Sequence, residues 1–364
     1  MNRECINDWE GIGLVILFIS GGALAMQTAP QAGGDIGIAI LLAIAAAIPV
    51  LLVYSRILSL YPGKDLFDIL QAIFGKTMGK GVSLFFIWFA FFLGSLVIRN
   101  MGDFPVTLSI PETPIAIPMG MMTFLCVWIV REGIEVMGRW ATLFVLLNAP
   151  LPTAIILMLI PQMDINNILP VFYNGIRPVL RGAFSAFSFP FTEIVVFTMA
   201  LLTLPSKKSP YRIYLIGLFM AGIMIVGVSV TEMLVLGEGI YQASFFPNHS
   251  AASEVQVAEI IQRMEVVTIL ATMTAGFLKI SVCLLSVSKG ISKFFSFPDY
   301  RFLVLPVGLL MYSVAFFIQE SVLENVALAK VFPYYTFPFA VILPIIVWLA
   351  AEWKRHQQQK SRSF

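Results

Sequence analysis

Charge is what this chain has least of. Asp, Glu, Lys and Arg supply 12% of its 364 residues, about half the share usual in a soluble globular domain, which excludes a soluble fold for most of its length. The 23 basic and 21 acidic residues leave a net charge of +2. The basic side chains are scattered among the loops and form no large patch, so no nucleic-acid partner is expected. Cysteine is limited to Cys5, Cys126 and Cys283, two of them inside apolar runs. An odd, widely separated set gives neither a disulfide framework nor a metal site. The two histidines, His249 and His356, lie outside the apolar runs, which leaves no histidine-based metal or haem centre, and no cofactor is expected. "GKT" at Gly75 to Thr77 has Leu70 where a phosphate-binding loop needs its upstream glycine. The first apolar run lacks a basic leader and a small-residue cleavage site, so it reads as a retained span. No nucleophile–base pair is visible, and no enzyme is expected.

What the chain has in abundance is apolar length. Hydrophobic residues make up 59% of it and the mean hydropathy is +0.88. One helix needs about 20 apolar residues to cross a bilayer, and windows between polar punctuation give ten: residues 8–29, 36–60, 82–102, 114–130, 140–160, 183–204, 211–236, 260–287, 302–318 and 333–351. The expected fold is an all-α integral membrane bundle, a single membrane domain over 1–364. It divides into five-helix halves at 8–161 and 183–351, followed by a tail at 352–364. Residues 62–80 read as an amphipathic connecting helix, and 164–182 as a second long connector. With the N-terminus inside, 17 Lys and Arg fall on the cytoplasmic side and five on the other, Lys279 lying within a span. This asymmetry places both termini in the cytoplasm.

Two spans carry interruptions. The first contains Ser20-Gly21-Gly22, and the sixth contains Phe187-Ser188-Phe189-Pro190-Phe191 followed by Glu193. Either one alone is equally well read as a packing notch or a simple kink. Together they fall in the first span of each half, and corresponding broken helices in inverted halves mark the central site of a secondary transporter. An unwound turn at Gly21-Gly22 would present N–H groups to a carboxylate. Ser20 would add a hydroxyl, carbonyls near Phe187, Ser188 and Phe189 would receive an ammonium, and the aromatic rings would line or close the pocket. Lys279, Glu193 and Glu232 are ionisable groups inside spans and so functional candidates. Glu232 lies near the outer end of its span, where it can reach water.

Three segments carry a resemblance. "GGALAMQTAPQAGGD" from Gly21, "FPFTEIVVFTMALLTLPSKK" at Phe189 to Lys208, and "QRMEVVTILATMTAGFLKISVCLLSVSKGISKFF" at Gln262 to Phe295 are similar to the first, sixth and eighth spans of the endospore germination permeases. These are the B subunits of Ger-type nutrient receptors, a branch of the amino acid–polyamine–organocation superfamily. The chain departs from the family pattern at Met26 and Gln27, where a leucine–proline pair is usual, and at Gly34. The resemblance implies a multi-pass protein of the spore's inner membrane with a 5+5 inverted repeat. It also implies a small-molecule germinant, typically an amino acid, and A and C receptor subunits as partners. In sodium-coupled proteins of this fold a cation bridges the first and eighth spans; Lys279 is expected to replace it in coupling or gating, together with Glu193. A proton-coupled amino acid permease is the alternative, because sensing and transport need the same pocket.

The charge asymmetry predicts the accessibility of two engineered cysteines. Ser253→Cys should react with a membrane-impermeant thiol reagent from outside, and Gln358→Cys only after permeabilisation. The reverse pattern would sink the even span count.

Overall fold

The computed structural model describes residues 5–201, 204–254, 264–319 and 322–362. Among these the long elements are helices, and eight are long and apolar enough to cross a membrane. Two shorter ones complete ten spans: the first, Asp8–Ala23, and the fourth, Ala116–Glu132. The second is Ile36–Leu60, the third Lys76–Leu108, the seventh Ser209–Ala243, the eighth Met264–Phe295 and the ninth Arg301–Ile318. The fifth, sixth and tenth run over Ile134–Gln162, Ile176–Ala200 and Leu323–Gln357, each with an internal irregularity.

The helix ends depart from the apolar windows for identifiable reasons. The third helix takes in Lys76 and Lys80, and the connecting helix before it is confined to Leu66–Phe74. Long basic side chains reach the polar zone, so a helix continues past the hydrocarbon layer at no cost in solvation. The sixth begins at Ile176 and includes Arg177 and Arg181 within its first two turns. The seventh is interrupted at Gly237 (φ 70°, ψ 165°), one residue past its apolar window. Residues 202, 203 and 260–263, read as the end of the sixth span and the start of the eighth, lie outside the described residues.

Both ends of the described chain lie at one end of the bundle. A capping box starts the first helix: Glu10 N–H donates to Asn7 Oδ1 and Asn7 N–H to Glu10 Oε2, each at 2.9 Å. Asp8 pairs with Arg212 at 3.1 Å, beside Tyr211, whose hydroxyl is 3.5 Å from Ser59. Arg56, one turn earlier on the second helix, pairs with Glu352 at 2.6 Å.

Backbone carbonyls freed by the irregular helices need donors, because lipid supplies none. Tyr54, fully buried on the second helix, donates to the carbonyls of Thr192 and Ala340. Thr192 directly follows a widened turn at Phe187–Phe191, and Ala340 lies within a second at Pro338–Ile342. One hydroxyl thus serves the sixth and tenth spans together.

The first helix packs closely against the eighth. A Cβ on Gly21 would lie 2.7 Å from the Ala275 carbonyl carbon and oxygen and 2.9 Å from Gly276 N. Those atoms are backbone and cannot step aside, so Gly21 sets the approach of two helix axes. Gly21→Ala should therefore lower stability by about 1–3 kcal/mol through overpacking, read as a fall in detergent-solubilised melting temperature; an unchanged melting temperature would mean that the helices separate freely.

Candidate functional site

The sixth span is broken where the sequence predicts. The helix runs to Ala186, Phe189 is extended (φ −131°, ψ 115°), and Pro190 has no N–H to offer. Thr192 N–H reaches back five residues to Phe187 O at 3.0 Å, and a tight turn over Glu193–Val196 resumes the helix.

The first span is broken later than predicted. Ser20, Gly21 and Gly22 remain inside the helix, which ends at Ala23. Leu24 N–H bonds Ser20 O at 2.9 Å and Met26 N–H bonds Gly22 O at 3.2 Å. The chain then turns through Ala29 in the left-handed region (φ 52°, ψ 43°) into the short helix Pro30–Asp35. Glycine permits unwinding but does not force it. The irregular stretch that begins after Ala23 runs on to Pro30, which lacks a donor and disfavours α conformation in the residue before it. The chemistry changes accordingly. The end of the first helix that faces the gap is a C-terminus, which presents carbonyl oxygens and the negative pole of its dipole. It suits a cation, and the expected N–H cradle for a carboxylate at Gly21-Gly22 is not formed.

Lys279 and Glu193 meet at the centre. Nζ lies 2.5 Å from Glu193 Oε2, with both side chains fully buried. The ammonium also sits 5.0 Å from the centroid of the Phe18 ring and 5.2 Å from that of Phe189. A Cβ on Gly22 would lie 2.9 Å from Nζ and 2.7 Å from the Phe189 ring. Lys279 therefore joins the first, sixth and eighth spans. The other carboxylate oxygen, Glu193 Oε1, is buried without a hydrogen-bond partner among the described residues.

Glu193 lines a cavity of about 100 Å³ together with Gly21, Gly22, Phe189, Met26, Asn100 and Asn325. That space is on the scale of a small organic molecule. Three expected contacts are not brought to it. Ser20 donates its hydroxyl to Ile16 O at 2.7 Å and borders a separate recess beside Asn148, while Phe187 and Ser188 are packed inside the bundle. Glu232, expected to reach water, is buried and lines a small recess together with Thr231 and Asn248. Asn100 and Asn325 were missed by sequence reasoning. The polar cluster "RNMGD" at Arg99 to Asp103, inside an apolar run, was the available signal for Asn100; Asn325 had none.

Solved structures share this architecture. A Na⁺-coupled sialic acid symporter in a substrate-bound outward-open state aligns with TM-score 0.66 and 13% identity, over 93% of this chain and 79% of its own. MhsT in complex with L-phenylalanine aligns with TM-score 0.62 and 11% identity, over 94% and 87%. The fold is thus the ten-helix transporter fold with broken first and sixth helices. Among sequences, spore germination protein KB of Bacillus subtilis (strain 168) is 28% identical over 357 residues, 96% of this chain and 95% of that one. Spore germination protein YndE of the same organism is 24% identical over 187 residues, about half of each chain. Residues 10–323 match the family model described as spore germination protein, and the chain belongs to the spore germination permease family.

Proposed function

We propose that the chain is the nutrient-sensing subunit of a spore germinant receptor and binds an amino acid between its two broken helices. The observation that carries this reading is the buried Lys279–Glu193 pair: Glu193 lines the cavity, and its second oxygen, Oε1, has no hydrogen-bond partner among the described residues. A buried acceptor beside a helix C-terminus is suited to an ammonium group, and the Phe189 ring covers the same place. Binding there biases the packing of the first, sixth and eighth spans, a change that A and C subunits in the spore's inner membrane would relay. Both termini face the cytoplasm in this reading. The transporter fold favours a second one, a proton-coupled amino acid permease. Uptake of labelled amino acid by proteoliposomes that contain only this chain separates the two: the sensing reading expects none.

Lys279 supplies a fixed positive charge between spans that a cation would otherwise bridge. The germination response should accordingly be unchanged when choline replaces sodium, and a strict sodium requirement would count against this role. The three atoms nearest a Cβ on Gly22 are side-chain ends, two of the Phe189 ring and Lys279 Nζ, with no backbone among them, so Gly22→Ala should persist in spore membranes by immunoblot. Because the methyl group displaces Phe189 or Lys279, the response should require about ten times more nutrient, the effect of losing roughly 1.4 kcal/mol. An unaltered dose-response curve would remove Gly22 from the site.

A further inference from the structure

The end of the cavity away from the chain termini carries a polar network that the ammonium subsite leaves unused. Arg99 and Asp103, one turn apart on the third span and both buried, pair at 3.0 Å. Asp103 Oδ2 also accepts from Gln319 Nε2 at 3.0 Å. The same Nε2 lies 3.4 Å from Asn100 Oδ1, which accepts from Asn325 Nδ2 at 2.9 Å. These bonds have a direction. An ionised carboxylate only accepts, so Asp103 fixes the amino group of Gln319 toward the third span. The oxygen of Asn100 is then taken by Gln319 and Asn325, and its Nδ2 must point the other way.

There it meets a poor partner. Asn100 Nδ2 lies 3.5 Å from Met26 Sδ, and Asn325 Nδ2 approaches the same sulfur at 3.9 Å. A thioether is a weak acceptor, and buried amide donors without a good acceptor are costly. Met26, Asn100 and Asn325 all line the cavity that Glu193 lines. Met26 N–H bonds Gly22 O, and a Cβ on Gly22 would meet Lys279 Nζ, so the two asparagines and the ammonium site adjoin the same short segment of the first span.

We propose that Asn100 and Asn325 form the carboxylate subsite of the pocket, two neutral amides whose Nδ2 donors exchange the Met26 sulfur for a ligand carboxylate oxygen. This rests on the reading that the pocket takes an amino acid, and it narrows the ligand to a zwitterion, its ammonium at Glu193 and its carboxylate at the two asparagines. The charges are consistent. Lys279 and Glu193 already cancel, so a ligand of zero net charge enters without leaving a buried excess, and a cationic derivative does not. Lys330 also lines the cavity but is exposed, where solvent screens it.

The test compares acids with amides. Purified full-length protein is screened by thermal stabilisation against the twenty L-amino acids, and each stabilising acid is titrated beside its α-carboxamide. The free acid should bind about ten to a hundred times more tightly, the range for one or two hydrogen bonds to a charged group. Asn100→Asp and, separately, Asn325→Asp should invert that order, because the new carboxylate repels the acid and accepts from the carboxamide; Lys330→Ala should preserve it. Equal affinity for acid and carboxamide in the unaltered protein overturns the inference while leaving amino-acid binding in place, and this comparison stands whether or not the variants fold. An unchanged order in both aspartate variants, or its loss in Lys330→Ala alone, also overturns it. Failure of every amino acid to stabilise the unaltered protein overturns the amino-acid reading itself, and this subsite with it.

Discussion

A charged pair with no access to water, Lys279 and Glu193, is the constraint around which the bundle is arranged. Desolvating two charges costs several kcal/mol for each ion, and their attraction repays this only when geometry is good and neighbours help. Here the neighbours are the faces of Phe18 and Phe189, whose negative quadrupoles stabilise the ammonium. The absence of a side chain at Gly22 makes room for both. The contributors are divided among three spans, the first, sixth and eighth. Displacing any of the first, sixth or eighth spans therefore leaves a bare charge in the interior, and a bundle pinned in this way has few arrangements that satisfy it.

The second requirement is the supply of donors to a backbone that is not continuously helical. Tyr54 serves the sixth and tenth spans. The loop that ends the first span is held from outside itself: Gln27 Nε2 donates to the carbonyls of Tyr241 and Ser244, each at 2.7 Å, and Tyr241 donates its hydroxyl to Thr28 O at 3.1 Å. The carbonyls at the frayed end of the seventh span and those of the broken first span are thus satisfied by each other's side chains. Irregular backbone at membrane depth survives only where protein takes the place of water, and these bonds mark where that substitution is made. Leu24 to Ala29, of which Ala25, Met26 and Gln27 border the cavity, are therefore held by a small number of exchangeable hydrogen bonds, the kind of contact that a ligand can rearrange.

The two interruptions show what a linear reading can reach. Pro190 sits in its break because a missing donor and a fixed φ act locally, whatever surrounds them. Gly21 and Gly22 do not mark theirs, because glycine only widens the choice of conformation and the eighth helix then decided for it: the close approach to Ala275 and Gly276 favours a helical Gly21. Ser20 failed as a contact for a related reason, since a hydroxyl inside a helix has a nearer acceptor one turn back, Ile16 O. Asn325 was invisible because nothing in its own segment distinguishes it; its meaning comes from Asn100, 225 positions earlier in the chain.

By itself the sequence determined the class of protein, the ten spans, the break at Phe189-Pro190 and the identity of Lys279 and Glu193 as groups that must find partners, since all of these follow from hydropathy, helix length and the cost of charge in lipid. Only the tertiary structure decided that those two groups partner each other, that the first helix ends at Ala23 and offers carbonyls to the cavity, and that two distant asparagines meet at Met26. The physical reason is the range of the forces. Hydrophobicity and backbone sterics act along a few neighbouring residues and can be read in order, whereas hydrogen bonds and ion pairs select among side chains that only packing brings within 3 or 4 Å of one another.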